Sequence, residues 1–449
     1  MARSVATHLP QPVFHEPVFG EDASTADPTG FLTRHGSDTE LYKEIGDLAK
    51  KDVVDIPASR AANDALFTLA EAYGNHGVAV TNAITGAKNI LFHALGDSGA
   101  SNAGKYPNEL RVADQVTLDC ASSAPPHRPA FLFHLGDIVY NFGEARYYYD
   151  QFYEPFRNYP APIFAIPGNH DSFIVPGTQP ADYPLATFQR NFCSPTPIIT
   201  PEAGSLHRTA MTQPGVYFAL DAPFVRVIGL FSNALEDPGV ISNEDKKWPD
   251  SLTDVQLAFL KAQLQKIRHD KYDGAVILAT HHPAFSYSPE ASKGSGGNHG
   301  CSTVMMQQID QICSDAGVYP HAFLAGHAHN YQRYTRIMQF GDKEINVPFI
   351  VCGDGGHNVN RLVRPHRGEP ASEPGTGSDV TYLDGGAQKM KVKHLILAKY
   401  DDENYGYLRI YVDKDYLKIG FHQVGTRSLA QSRYDMVTVR LEDRHMVAN

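Results

Sequence analysis

The chain has 449 residues, 42% hydrophobic and 20% charged, with a formal net charge of −11. That composition is globular with ample core, and the negative balance argues against non-specific nucleic-acid binding. No apolar run approaches the roughly 18 residues of a membrane helix, and the start, MARSVATHLPQPVFHEPVFG, has no continuous apolar stretch of the signal-peptide kind. Five cysteines (Cys120, Cys193, Cys301, Cys313, Cys352) without a C-x-x-C make a disulfide framework unexpected, Cys301 with Cys313 being the one pair open to consideration.

Taken in order, residues 1 to about 37 read as an extended arm. Leu41, Ile45 and Leu48 then recur at helical spacing, and Ala62, Leu66, Leu69 and Tyr73 predict a second helix over Ala61–Tyr73, stopped by Gly74. The expected organisation is an arm and helical extension over 1–85, a main domain over 86–430 and a tail over 431–449. Asn89–Leu95 reads as a buried strand opening into Gly96-Asp97-Ser98-Gly99, followed by a helix over Asn108–Cys120. Ala130–Leu135 is a second strand, meeting Gly136-Asp137 with Tyr140 three residues on. An aromatic-rich helix is expected near Glu144–Phe156, then a strand over Pro162–Ile166 that ends at Pro167-Gly168-Asn169-His170-Asp171. This β-α-β-α-β order predicts a sheet covered by helices.

Gly215–Leu220 and Val225–Phe231 read as a hairpin. Thr253–Ile267 carries strong helix signals, with Thr253 and Gln256 as a capping box and Leu252 and Leu257 as a staple. Strands over Ala275–Ala279 and Ala322–Ala325 end at His281-His282-Pro283 and Gly326-His327-Ala328-His329, with a helix near Val304–Ile312 between them. Val347–Val351 leads into Gly353-Asp354-Gly355-Gly356-His357, Arg364–Gln388 reads as a long loop, and His394–Ala398, Tyr407–Val412 and Leu417–Phe421 as a meander.

The residues at these strand ends are Asp97, Asp137, Tyr140, Asn169, His170, His281, His327 and His329. In open α/β sheets chemistry collects beyond the carboxyl ends of strands. An oxygen and imidazole set without cysteine suits Fe, Zn or Mn, and two ions sharing Asp137 could use it all. Two ions about 3.5–4 Å apart can clamp the attacking and leaving oxygens of a phosphoryl displacement.

The ordered blocks Gly96-Asp97-Ser98-Gly99, Gly136-Asp137-Ile138-Val139-Tyr140, Gly168-Asn169-His170-Asp171, Leu278-Ala279-Thr280-His281 and Gly326-His327-Ala328-His329 resemble the five signature blocks of purple acid phosphatases, in the calcineurin-like metallophosphoesterase superfamily. Tyr140 is the discriminating residue. The resemblance implies a four-layer α/β/β/α sandwich, here with a helical N-terminal extension. It also implies a ferric site from Asp97, Asp137, Tyr140 and His329 beside a divalent site (Fe, Zn or Mn) from Asp137, Asn169, His281 and His327. His170 matches the histidine that contacts phosphate and assists the leaving group. The implied activity is hydrolysis of phosphate monoesters by metal-bound hydroxide, at acidic pH, on a small phosphorylated substrate.

Three departures stand out. Leu278 replaces the usual Val, Asp171 the usual Glu, and Ser286–Ser292 lacks the family's substrate histidines, which leaves His282 and His299 as the substitutes. A phosphodiesterase or nucleotide hydrolase on the same metals, and a non-catalytic binding protein on the same scaffold, are the rival readings. The sequence leaves open the cellular location (cytoplasmic, or exported with a signal removed) and the number of subunits.

Overall fold

Two sheets carry the fold, built largely from the buried apolar runs of the sequence. The computed structural model describes residues 56–447, apart from 125–126, 141, 175–182, 236–237, 244–252, 287–301, 363–375, 378, 384–388 and 426–431. The expected helix at Leu41–Leu48 and its arm therefore lie outside the described residues. In chain order the strands begin with β1 (Leu66–Thr68), β2 (Asn89–Leu95), β3 (Leu132–His134) and β4 (Ile163–Ala165). The hairpin β5 (Phe218–Ala222) and β6 (Val225–Gly229) precedes β7 (Ala275–Ala279) and β8 (Ala322–Ala325). The long pair β9 (Tyr331–Phe340) and β10 (Lys343–Cys352) leads to β11 (Asp379–Leu383) and β12 (Lys389–Asp401). Last come β13 (Gly406–Asp413), β14 (Tyr416–Gln423), β15 (Arg433–Arg440) and β16 (Met446–Val447).

One sheet has the order β1-β5-β6-β7-β8-β10-β9-β12-β11 and the other β16-β15-β14-β13-β2-β3-β4. Each contains a parallel core: β2, β3 and β4 in the seven-stranded sheet, and β6, β7, β8 and β10 in the nine-stranded one. Parallel neighbours need crossovers, and helices Tyr106–Ser122, Val255–His269 and Thr303–Ala316 supply three of them. The result is a mixed α/β sandwich of two sheets with helices, as expected for a metallophosphoesterase.

The sheets meet through aromatic side chains. Phe133 and Phe218 stack across the interface at 6.0 Å, and Tyr331 and Phe421 at 4.0 Å. Gly229 is required here, since a Cβ would sit 2.7 Å from Ile166 and 3.2 Å from Phe133. At the carboxyl ends the sheets are also tied through backbone, with Gly96 N–H donating to the Cys352 carbonyl at 3.0 Å.

Several expectations are corrected. Ala61–Tyr73 is not one helix: Ala62–Asp64 forms a single 3-10 turn, Leu66–Thr68 extends and pairs in parallel with β5, and only Leu69–Ala72 is α-helical, capped by Thr68 with Glu71. The apolar spacing was compatible with both, and the free edge of β5 won. The capping box at Thr253 does not form. The helix starts after Asp254, and Gln256 is buried, with its amide pinned to both backbone groups of Phe231 at 2.8 and 2.7 Å. Leu252, its staple partner, lies outside the described residues. The stretch expected as a long loop contains β11. The expected meander is divided, with β12 joining the nine-stranded sheet and β13 and β14 the other. Cys313 is buried and free, while Cys301 is outside the described residues.

Candidate metal centre

The carboxyl ends of both parallel cores converge, and their loops bond to one another. Asp97 N–H donates to Gly136 O, Ser98 N–H to Asp137 O, and Gly326 N–H to His281 O. Asp97, Asp137 and His327 adopt left-handed backbone, with φ of 58°, 55° and 67°. Non-glycine residues rarely do so, and such residues gather at functional sites. The turns swing these side chains into one buried space.

Two groups of donors face each other there. In the first, the Tyr140 hydroxyl donates to Asp97 Oδ1 at 3.1 Å and lies 3.1 Å from His329 Nε2, which is 3.4 Å from the same carboxylate oxygen. In the second, ligand atoms of Asp137, His281 and His327 all lie within 4.8 Å of one another, and Asn169 Oδ1 is 2.9 Å from His281 Nε2. Asp137 stands between the groups, one oxygen accepting the His170 N–H at 3.0 Å and the other 3.4 Å from His281 Nε2. His281 Nδ1 donates to the Leu135 carbonyl at 2.9 Å. That bond fixes the tautomer and turns Nε2, with its lone pair, to the pocket, as metal-binding histidines require.

The electrostatics point the same way. Burial would lift the Asp137 carboxyl, yet the neighbouring His281 and His170 hold it below the ordinary carboxylate range. Burial likewise opposes charge on His281, but Asp137 and Asp97 push it up to about 9. Asp97 is raised, chiefly by burial. The Tyr140 phenol is driven well up by burial and then by Asp137 and Asp97. A cation in this pocket would reverse that logic, since it stabilises every anionic donor at once. The residues fit metal ions on a second count. Asp137 Oδ2 is buried with no hydrogen-bond partner among the described residues, and the glycine at 168 leaves room for the carboxylate's other oxygen, a Cβ there falling 2.1 Å from Asp137 Oδ1.

The family comparison agrees with this geometry. Calcineurin-like phosphoesterases match over residues 90–331, more than half of the chain. The chain belongs to that family. It is the family of metal-dependent phosphoester hydrolases with a binuclear centre, and this phosphoesterase carries a candidate cluster for one. No curated protein matches the sequence. Among solved structures, GAP50, the anchor in the inner membrane complex of Plasmodium, is 11% identical with a TM-score of 0.43, covering 76% of this chain and 86% of its own. PhoD is 13% identical with a TM-score of 0.43, covering 80% of this chain and 71% of its own.

His170 lies beside the phosphoesterase's donor set, its ring 4.2 Å from that of Tyr140. His282 is placed differently from the expectation. It is fully buried, with Nδ1 2.8 Å from Ser232 Oγ and Nε2 donating to the Leu235 carbonyl at 2.7 Å. Both ring nitrogens are thus engaged by the protein, and the ring packs 4.3 Å from His327. That is the geometry of a brace for His327 rather than of a group offered to phosphate. His299 lies outside the described residues.

Three further residues support the donor set, of which the sequence showed Asp171 as a departure from the usual Glu and His357 as the end of a glycine-rich turn, while Gln151 went unread. The Asp171 carboxylate accepts N–H groups of Ile138 and Val139 at 3.0 and 3.2 Å and of Gly168 at 2.8 Å, locking the Asp137 and Asn169 turns together. Gln151, in the π-helical turn Tyr149–Tyr153, clamps the Tyr140 backbone at 2.8 and 2.6 Å. His357 stacks on the Tyr140 ring at 3.5 Å and 15°, donates from Nδ1 to Gly99 O at 2.6 Å, and accepts from Lys105 Nζ at 2.7 Å. Only the Asp171 bond to Gly168 is local; the other partners lie from eleven to more than two hundred positions away, beyond any spacing rule. No helix among the described residues is long and apolar enough to cross a membrane.

Proposed function

We propose that this phosphoesterase is a purple-acid-phosphatase-type enzyme that hydrolyses small phosphate monoesters, best at acidic pH. The observation that carries the reading is the Tyr140 hydroxyl, 3.1 Å from both Asp97 Oδ1 and His329 Nε2. It occupies the place of a phenolate ligand, and a phenolate is a hard anionic donor suited to ferric iron. Asp97, Asp137, Tyr140 and His329 would hold Fe(III), and Asp137, Asn169, His281 and His327 a divalent Fe, Zn or Mn. When bound, the pair supplies an acidified water and a counter-charge for phosphate oxygens.

The chain's own residues do the rest. Asp137 holds its position through the His170 N–H while Asp171 fixes both turns. His170 reaches into the same space, and its ring as an imidazolium donates a proton to the departing oxygen. The acidic optimum rests on the likeness of the five signature blocks to those of purple acid phosphatases.

The test is a visible spectrum of iron-loaded, oxidised protein beside turnover of aryl phosphate and bis-aryl phosphate. A purple or pink band that Tyr140→Phe removes, with preference for the monoester, is the expected result. A colourless protein would withdraw the tyrosinate reading, and preference for the bis-ester would reassign the substrate class.

A further inference from the structure

The other ends of β2 and β3 border a cavity that the hydrolytic reading does not use. It has a volume of about 500 Å³ and lies between helix Gly77–Ala87 and the residues that open the two strands. Val80, Ala83, Ile84 and Ala87 supply one wall. They follow helical spacing, so they form a single apolar stripe, yet none is fully buried by protein. Ile90, Leu91, Pro129 and Ala130 line the opposite side. The cavity is of the size and apolar character of small-molecule sites.

Two polar groups set what it would take. Asn89 lines the cavity and is only 7% exposed. Its Nδ2 donates to Ala87 O at 2.7 Å, which assigns the amide orientation, and its Oδ1 has no hydrogen-bond partner among the described residues. That oxygen is also sealed from the cavity, so Asn89 closes this end and leaves a ligand to meet Arg128. Arg128, exposed, stands at the rim with a guanidinium suited to an acid group.

We infer that this cavity is a second binding site, for an amphipathic organic acid: an apolar body against the helix stripe and an acid group at Arg128. The site is remote from the donor set. Asn89 opens β2 and Asp97 stands in the turn beyond its other end, with roughly 20 Å of strand between them. Its ligand therefore does not compete with a phosphate ester for space, and it loads the strand whose far end carries Asp97.

Anilinonaphthalene sulfonate is a fitting probe, having an apolar ring system and a sulfonate. Titrated into the full chain, it is expected to show one saturable fluorescent site per chain. Ala83→Phe, which fills the cavity, should abolish that site. Arg128→Ala should weaken it about tenfold, the scale of one charge-assisted hydrogen bond. Val78→Ser, at a 70% exposed position of the same helix outside the cavity, should leave it unchanged. The inference falls if the full chain shows no saturable binding, as it would were its own residues filling the cavity. It also falls if Ala83→Phe and Arg128→Ala both bind the dye like the native chain, which would place the dye elsewhere. Arg128→Ala removes an exposed side chain, so its result does not depend on a folding defect.

Discussion

The two halves of the donor set are built from different chemistry although they share one carboxylate. The half around Asp97 offers two carboxylates, a phenol and one imidazole, whereas the half around Asp137 offers one carboxylate, an amide and two imidazoles. The first is rich in oxygen that becomes anionic beside a cation, and the second is nearly neutral apart from the shared group. Hard, highly charged ions favour the former and borderline divalent ions the latter. The supports differ too. Tyr140 is held by Gln151 on its backbone and by His357 on its ring face, while His281 is fixed through Leu135 and His327 leans on His282. The lesson is that a binuclear site can be made asymmetric by the ligands its halves do not share.

That comparison breaks most completely at the shared residue. Asp137→Asn keeps the shape and removes the charge common to both halves. Turnover should fall on the order of 10³-fold or more, as when a main charge-stabilising group is lost, and metal per chain should drop in both sites. Metal content near that of the native protein would mean the halves are independent.

His170→Ala should spare both halves and still cost on the order of 10²-fold with alkyl phosphates, the scale of acid–base assistance. The loss should shrink with aryl phosphates, whose leaving groups need little protonation. A variant that loses metal would instead move His170 among the ligands.

Tyr140→Phe sharpens the contrast, because it touches one half alone. Iron retention should fall at the Asp97 side and the visible band should vanish, with the divalent ion kept. The smallest effect belongs to His282→Ala. It removes a brace rather than a donor, so affinity for the divalent ion should weaken about tenfold, the lower range for groups behind metal ligands. Unchanged divalent affinity together with a raised KM would return His282 to the substrate.

Legibility in the sequence followed the range of the interactions. β2, β7 and β8 are short apolar runs closed by turn residues, so their extents could be read locally. The donors at their ends were visible for the same reason. β9, by contrast, is a ten-residue strand with many half-exposed positions, and its identity depends on pairing with β10 and β12. β1 is decided by the edge of β5, and Gln256 by the backbone of Phe231, against a local capping signal. Around the candidate site, His357 was noticed only as the end of a glycine-rich turn. Its stacking on Tyr140 joins residues more than two hundred positions apart, and no spacing rule reaches that far.

The left-handed turns at Asp97, Asp137 and His327 bear on how such a site can change over time. An L-residue other than Gly, Asn or Asp pays about 1–2 kcal/mol in that conformation. Aspartate and asparagine are thus nearly interchangeable in backbone terms at 97 and 137, whereas glutamate, also a carboxylate, would bring strain and a longer reach. Drift at these positions should run toward asparagine, which preserves the fold while erasing charge. A descendant could become catalytically silent in one nucleotide change while keeping the backbone of its parent.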